Sequence, residues 1–381
     1  MSPLTKKYDV IVVGAGSMGM SAGYELARRG AETLLIDAFD PPHGEGSHHG
    51  EPRLIRHAYS GGPAYVSLVL RADEKWRQLE EATGLRLLDR AGVLNMADID
   101  AYNFRERQFD AQRQGVAVEW LTGEQIRKRW PGVRVPDSFH GMYEPNAGYL
   151  YSERCVAAYK QEALRSGAKL AANTFVTGLK VEKDSSVTVQ TKDGSYYAER
   201  VVLSAGAWFN SLRPFVNLPI RPLRKVVGWF ETSESSFNSD VFPGFTIGTK
   251  NGSFYGFPSI DGAGVKIGRH DGGVPWEPGK PMAPFGAYPE DEEDLRRALE
   301  TYLPGAAGKL LRGAACKYEM SPDEHFIIDR HPHYKNVIVA GGFSGHGFKF
   351  ASAAGEVLAD LALNGSTSWD LSPFRLGRFS L

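Results

Sequence analysis

The chain has 381 residues, with 44 lysines and arginines against 45 aspartates and glutamates, a formal net charge of −1 and 42% hydrophobic residues. That composition is typical of a folded globular protein, and the length allows two interleaved domains with a substantial core. No basic stripe indicates a nucleic-acid partner, and no apolar run approaches the roughly 18 residues that a membrane span needs.

The start of the chain and its cysteines bear on the cellular compartment of the protein. Residues 1–7 form a short polar segment that runs directly into an apolar stretch, so we expect no signal peptide. The two cysteines, Cys155 and Cys316, are too few for a disulfide framework. We therefore expect a cytoplasmic protein whose thiols are reduced.

The first 37 residues contain a complete dinucleotide-binding pattern. An apolar strand at residues 8–13 leads directly into the glycine-rich sequence G-A-G-S-M-G at residues 14–19. A helix is predicted over residues 20–29 and a second strand over residues 33–36, followed by an acidic residue. A strand, glycines, a helix, a second strand and an acid in this register predict a βαβ unit that binds a dinucleotide.

Each residue type in this pattern has a physical reason. Gly14 permits a tight turn, Gly16 lets the backbone approach a pyrophosphate, and Gly19 lets the helix lie close to the strand. The helix N-terminus offers unpaired N–H groups to the phosphates. Asp37 can accept hydrogen bonds from a ribose diol and disfavours a 2′-phosphate, which leaves FAD or NAD rather than NADP.

Further helices and strands are predicted in chain order from hydrophobic periodicity and turn residues. Residues 38–62 are rich in glycine, proline and histidine and predict a ligand-facing loop. Helices are predicted at 63–82, 101–115, 123–129, 152–166, 289–303 and 348–363. Strands are predicted at 92–95, 169–171, 174–182, 186–190, 196–203, 226–231, 255–258, 265–269 and 337–340.

This order of elements predicts the α/β class, α+β overall, with two domains. We predict a discontinuous Rossmann-like dinucleotide-binding domain formed by residues 1–90, 150–212 and 311–381. Residues 91–149 and 213–310 are predicted to form an inserted antiparallel-sheet domain on the substrate side.

A second glycine-rich turn, residues 341–349, joins a buried-type strand to an apolar helix. It contains four glycines, one histidine and one lysine. A helix N-terminus at a ligand stabilises negative charge, and Lys349 would add a full cation beside it. The turn therefore predicts an anion-binding element.

Residues 48–57 crowd two arginines and three histidines into ten positions. Arg53 is suited to bidentate capture of a carboxylate, although a surface ion pair explains it equally well from the sequence alone. No second cluster with ligand spacing completes a metal site with these histidines, so no metal is expected.

Three candidate residues, Tyr255, Lys266 and His270, lie on two neighbouring predicted strands. The solvent-exposed side of an edge strand is the simplest account of a lysine in the apolar run 264–268. Cys155 lies within a predicted helix and is expected to be inert. Cys316 precedes a lysine, and an adjacent cation favours the reactive thiolate.

Taken together, these motifs resemble the monomeric sarcosine oxidase and N-methyltryptophan oxidase family of flavin amine oxidases over essentially the whole chain. The similar segments are G-A-G-S-M-G at 14–19, G-S-H-H-G with the arginine at 46–53, Y-G-F-P at 255–258, K-I-G-R-H at 266–270, C-K-Y at 316–318, D-E-H-F-I-I-D at 323–329 and S-G-H-G-F-K at 344–349.

The resemblance implies an FAD-binding Rossmann-like domain with FAD linked covalently to Cys316 through the 8α-methyl carbon. It also implies that further residues contact the cofactor, namely Gly14, Gly16, Gly19, Asp37, His49, Arg53, Gly345 and Lys349.

The resemblance further implies roles on the substrate side. Arg53 and Lys349 would hold the substrate carboxylate, Tyr255 and His270 would line the pocket, and Lys266 would face the flavin and assist its reaction with oxygen.

The implied activity is the oxidative demethylation of sarcosine, an N-methyl amino acid, to glycine, formaldehyde and hydrogen peroxide by a monomer that uses O2. Segments 323–325 and 144–146 look like the sarcosine type, whereas 266–270 and 372–376 look more like the tryptophan type. An N-methyl-L-tryptophan oxidase is therefore the alternative, and an NAD-dependent dehydrogenase is a more remote one.

Overall fold

The computed structural model describes residues 7–379, so the expectation that no signal peptide is present falls on residues 1–6, outside that range. The strands are, in chain order, β1 (Lys7–Val13), β2 (Thr33–Ile36), β3 (Arg53–Ile55), β4 (Leu88–Asp89), β5 (Val93–Asp98), β6 (Glu119–Thr122), β7 (Phe139–Glu144), β8 (Gly148–Leu150), β9 (Lys169–Ala171), β10 (Val176–Val181), β11 (Val187–Thr191), β12 (Gly194–Leu203), β13 (Arg221–Phe230), β14 (Gly244–Thr249), β15 (Gly252–Phe257), β16 (Val265–Arg269), β17 (Val274–Pro275), β18 (Leu310–Met320), β19 (Ile327–Arg330) and β20 (Val337–Gly341). The helices are α1 (Ser17–Arg28), α2 (Pro63–Thr83), α3 (Arg105–Arg113), α4 (Gly123–Arg129), α5 (Ser152–Arg165), α6 (Glu290–Tyr302) and α7 (Ala351–Leu363), the last preceded by a 3₁₀ turn at Phe348–Phe350.

The first sheet contains the predicted βαβ unit at its centre. Its strand order is β10-β11-β12-β1-β2-β9, and β20 pairs with β12 and with β19. Strands β12, β1, β2, β9 and β20 run parallel, whereas β10 and β11 form the predicted antiparallel meander with β12. Helix α1 packs against α5 and α7 on one face. The middle of β1, Val10, Ile11 and Val12, is fully buried, as expected for a parallel strand covered on both sides.

The second sheet has the order β17-β13-β16-β15-β14-β5-β7-β6, with β18 beside β13. All its pairs are antiparallel except β5 with β14. In this sheet the sequence prediction missed β6, β7, β14, β17 and β18. Strand β18 contains no valine, isoleucine or threonine, and Tyr318 is its one strand-favouring residue. It forms because it pairs with β13 over almost its whole length.

The strand topology bears on the predicted domain limits. Strand β18 belongs to the second sheet, whereas we predicted that the dinucleotide domain resumes at residue 311. The short strand β3 lies inside residues 38–62, predicted as a loop, and pairs with β8 in a third, three-stranded sheet. The division into domains stays a prediction. Within residues 7–379, no helix combines the length and apolar character that a bilayer crossing requires.

Candidate active site

A cavity of about 790 Å³ opens where the parallel strands of the first sheet end. Val13, Ile36 and Ser204, at or just after the carboxyl ends of β1, β2 and β12, line one side. Thr246 and Tyr255 from the second sheet line the other. Ligands of open α/β sheets bind at this edge, so the fold places a ligand between the two sheets.

Most of the residues predicted from the sequence meet in this cavity. Those in its lining are Gly14, Gly16, Asp37, Arg53, Tyr255, His270, Cys316, Gly345 and Lys349. Gly19, His49 and Lys266 lie outside the lining.

The glycine turn at residues 14–19 has the shape of a phosphate cradle. A Cβ on Gly14 would lie 2.5 Å from the oxygen of Ser204, and one on Gly19 would lie 1.9 Å from the oxygen of Gly14. At Gly16 a Cβ would meet only His48 Nδ1, at 3.8 Å, so the backbone faces open space. Helix α1 starts at the next residue, and no side chain caps it. These features fit a pyrophosphate at the helix N-terminus.

Asp37 follows β2 and is buried at the cavity wall. Its Oδ2 accepts the N–H of Ala15 at 2.7 Å, and its Oδ1 accepts the N–H of Phe39 at 2.9 Å. The carboxylate therefore holds the glycine turn in place. Oδ1 also lies 3.2 Å from His43 Nε2, whereas Oδ2 keeps a lone pair for a ribose hydroxyl.

Cys316 on β18 lies opposite Lys225 of β13 and lines the cavity. Burial raises the pKa of its thiol, and the charges of Arg53 and Lys266 oppose that shift. Neighbouring Lys317 acts in the same direction, as expected from the sequence, but burial outweighs the cations. Cys155 is buried in α5, as expected for an inert thiol, and burial raises its pKa well above the usual value.

The expectation that Lys266 lies on the solvent side of an edge strand is wrong. Strand β16 lies between β13 and β15, and Lys266 is 1% exposed. Its Nζ donates to the main-chain oxygens of Gly50 at 2.6 Å and Pro52 at 3.1 Å. It also lies over the rings of Trp229 and Phe257, at 5.2 and 4.9 Å from their centroids. Burial, and then the charge of Arg53, lower the pKa of Lys266 well below its usual value.

The guanidinium of Arg53 is bound to its own loop. It donates to the main-chain oxygens of Gly50, Pro52, Ser47 and His49 at 2.6–3.0 Å. The Nε2 of His49 is buried with no hydrogen-bond partner among the described residues. Burial, and then the charge of Arg53, lower the pKa of His49 to about 4. Arg53 thus orders the loop beside Cys316 and Lys266.

A second arginine, Arg56, faces the other part of the cavity together with Lys349. Its Nη1 donates to Asn95 Oδ1 at 3.2 Å, and its guanidinium lies 5.6 Å from the ring centroid of Tyr59. The ammonium of Lys349 lies 5.3 Å from the same centroid and donates to the oxygen of His346 at 2.6 Å. We name Arg56 and Lys349 the cation pair. Arg56 was not singled out from the sequence, although it lies in the arginine- and histidine-rich segment that was.

Two aromatic side chains near the cation pair are uncharged at neutral pH. Burial, and then the charges of Arg56, Lys225 and Lys349, lower the pKa of His270 to about 4. Burial raises the pKa of Tyr255 to about 12. Both line the cavity, so they offer neutral hydrogen-bonding groups beside a positive potential.

The second glycine turn also lines the cavity. Gly345 has φ +75°, and a Cβ on it would lie 2.0 Å from the ring of Tyr318, so only glycine fits. The sequence interpretation missed Glu319, a buried carboxyl whose Oε2 accepts the N–H of Gly342 at 3.3 Å. Burial raises the pKa of Glu319 to about 8.

A family model described as FAD dependent oxidoreductase (DAO) matches residues 9–361. The fold and the site are those of an FAD-dependent oxidoreductase, and the chain belongs to that family. This match decides for FAD over the NAD alternative.

Comparison with known relatives identifies a smaller group within this family. Monomeric sarcosine oxidase from Bacillus sp. (strain B-0618) is 48% identical, over 99% of this chain and 98% of its own. N-methyl-L-tryptophan oxidase from Citrobacter koseri is 43% identical, over 98% of this chain and 100% of its own. The solved structure of NikD, an unusual amino acid oxidase essential for nikkomycin biosynthesis, has a TM-score of 0.85 at 25% identity and covers 97% of this chain and 98% of that one. The protein is therefore an FAD-dependent amine oxidase of the sarcosine oxidase and N-methyltryptophan oxidase group.

Proposed function

We propose that this protein demethylates sarcosine or a related N-methyl amino acid oxidatively, using O2 and producing formaldehyde and hydrogen peroxide. The observation that carries the proposal is one cavity lined by a phosphate cradle, a cysteine and a pair of cations. The 48% identity to a monomeric sarcosine oxidase supports the same activity. The relatives' name favours a monomer, and the protein is proposed to work in the cytoplasm.

The cradle residues fit FAD. The open backbone at Gly16 would hold the pyrophosphate, and Asp37 would bind the adenosine ribose. When bound, FAD supplies the two-electron acceptor for the C–H bond of the N-methyl group and passes the electrons to O2. The protein's part is to position the substrate and to set the charge around it.

The substrate carboxylate is proposed to bind the cation pair. Arg53 was the sequence-based choice, but its two Nη groups already donate to four main-chain oxygens. Arg56 and Lys349 both lie near the ring of Tyr59. Burial lowers the pKa of Lys349 most, and repulsion from the positive charge of Arg56 lowers it further. An anion between them relieves that repulsion and orients the N-methyl group.

The substrate amine must be neutral to be oxidised. The positive potential of Arg56 and Lys349 disfavours an ammonium, so it lowers the pKa of a bound amine. His270 and Tyr255 are uncharged and can hold the amine by hydrogen bonds without competing for the carboxylate.

Cys316 is proposed to carry the flavin through a thioether between its Sγ and the 8α-methyl carbon. The new bond replaces one S–H and one C–H, and O2 is the oxidant that takes up the two electrons. The nearby cations Arg53 and Lys266 stabilise the thiolate as it forms. Lys266 is proposed to assist oxygen reduction, because a protonated lysine in this buried position would stabilise the anion produced by the first electron.

A substrate panel tests the function. The purified, flavin-loaded enzyme is mixed with sarcosine or N-methyl-L-tryptophan, and formaldehyde and hydrogen peroxide are measured together. Equal yields of both products from sarcosine support the proposal. A strong preference for N-methyl-L-tryptophan favours the second candidate, which the 43% identity to such an oxidase supports. No product from any N-methyl amino acid refutes both.

A further inference from the structure

The cavity contains another guanidinium that the proposed reaction does not use. Arg107 on α3 is 5% exposed and lines the cavity. Its Nε and Nη2 donate to the main-chain oxygen of Ala58 at 3.3 and 2.9 Å, and Nη2 lies 3.4 Å from Asn95 Oδ1. A buried arginine at a ligand cavity requires an anion or several good acceptors.

Arg107 and Arg56 meet at a single neutral oxygen. Asn95 Oδ1 accepts from Arg56 Nη1 at 3.2 Å, from Arg107 Nη2 at 3.4 Å and from Thr246 Oγ1 at 3.1 Å. An amide oxygen orients both guanidinium groups but neutralises neither. Burial lowers the pKa of Arg107 most, and repulsion from the positive charge of Arg56 lowers it further.

Within residues 7–379, the carboxylate beside this cluster is Glu144, and it already accepts other hydrogen bonds. Its Oε2 accepts the N–H groups of His57 at 2.7 Å and Ala58 at 3.0 Å. Its Oε1 accepts Asn95 Nδ2 at 3.3 Å and lies 3.9 Å from Arg107 Nη2. Among the described residues, Glu144 is therefore the acid that acts on both Arg107 and Lys349, and Arg56 adds a third positive charge. One α-carboxylate leaves a positive charge uncompensated.

We propose that the preferred substrate is an N-methyl amino acid with an acidic side chain, whose second carboxylate is bound by Arg107 and Thr246. This inference rests on the proposed function. An α-carboxylate bound to the cation pair and a side-chain carboxylate bound to Arg107 would, together with Glu144, balance the positive charges of Arg56, Lys349 and Arg107. An apolar substrate side chain would instead contact a buried guanidinium, an amide and a hydroxyl, and it could not accept a hydrogen bond from any of them.

The test compares substrates of equal shape and different charge. The kcat/KM of the flavin-loaded enzyme is measured for N-methyl-L-glutamate and N-methyl-L-glutamine, with sarcosine as the reference. The acid is expected to exceed its amide by about tenfold or more, the usual gain from a charged hydrogen bond. Oxidation of sarcosine without a preference for the acid overturns this inference alone. Oxidation of none of the three overturns the proposed function as well.

A variant ties the preference to Arg107. Arg107→Gln is expected to bring the ratio of kcat/KM for acid over amide close to one, whereas Arg105→Gln, an exposed arginine on the same helix, leaves the ratio unchanged. An unchanged ratio in Arg107→Gln overturns the assignment.

A binding measurement on the unaltered enzyme covers the case in which Arg107→Gln does not fold. Succinate and its half-amide, succinamate, are titrated while the flavin spectrum is followed. Succinate is expected to bind about tenfold more tightly or better. Equal binding overturns the inference.

Discussion

Lys266 donates a hydrogen bond from its Nζ to the main-chain oxygen of Gly50 at 2.6 Å, although 216 residues separate the two in the sequence. The contact joins strand β16 of the second sheet to the loop that precedes Arg53. Because the partner is a carbonyl and not a carboxylate, this hydrogen bond does not compensate the positive charge of the protonated lysine, and burial lowers its pKa well below the usual value. That charge lies close enough to Cys316 to oppose the rise in its thiol pKa.

Replacing Lys266 by methionine tests its proposed role with oxygen. Lys266→Met is expected to slow reoxidation of the reduced enzyme by about 10²-fold or more, because removing one preorganised charge stabiliser has that effect. Reduction by substrate serves as the internal control and is expected to change far less. Stopped-flow absorbance measures each half-reaction separately. A variant that loses reduction but keeps reoxidation contradicts the role.

Replacing Cys316 by serine tests the covalent attachment. After acid precipitation, the yellow colour is expected to stay with the unaltered protein and to pass into the supernatant with Cys316→Ser. Cys155→Ser is the matched control, because Cys155 is the other buried cysteine and lies in α5. Colour retained in the pellet of Cys316→Ser would require another attachment point.

The two neighbouring arginines are expected to separate substrate binding from flavin binding. Arg56→Met is predicted to raise the KM for substrate by about 10-fold to 100-fold, the worth of a charged hydrogen bond, with normal flavin content. Arg53→Met is predicted to lower flavin content, since its guanidinium holds four main-chain oxygens of the loop. Flavin content is read from the ratio of visible to ultraviolet absorbance. If Arg53→Met instead raised the KM and Arg56→Met lowered the flavin content, the substrate carboxylate would be assigned to Arg53.

Glu319 makes stability depend on pH. Burial raises its pKa from 4.5 to about 8 in the native state. Between these values the unfolded chain releases the proton while the native protein keeps it, so stability falls as pH rises through this window. The loss amounts to about 5 kcal/mol at most. Glu319→Gln removes this contribution. Its melting temperature, relative to that of the unaltered protein, is expected to rise from about pH 5 to about pH 8. A constant difference contradicts the buried neutral carboxyl.

Local patterns made the dinucleotide half predictable. The spacing of Gly14, Gly16, Gly19 and Asp37 is set within one βαβ unit, so the turn, the helix and the acid could be placed from the sequence. The parallel strands and α1 are confirmed within a few residues of the prediction.

The substrate half depends on segments far apart in the chain, so less of it could be predicted. Whether Lys266 is buried depends on β13 and β15 flanking its strand, and whether Arg56 or Arg53 is free depends on main-chain oxygens in the folded loop. The meeting of Arg56 and Arg107 at Asn95 joins three separate segments of the chain, and no spacing in the sequence encodes it.

The most direct test of the central claim is anaerobic mixing of the purified enzyme with sarcosine or another N-methyl amino acid while the visible flavin band is followed, with O2 admitted afterwards. The account predicts that the band bleaches without O2 and returns when O2 enters, and that formaldehyde and hydrogen peroxide appear in equal amounts. A flavin band that stays unchanged with every N-methyl amino acid would contradict the account.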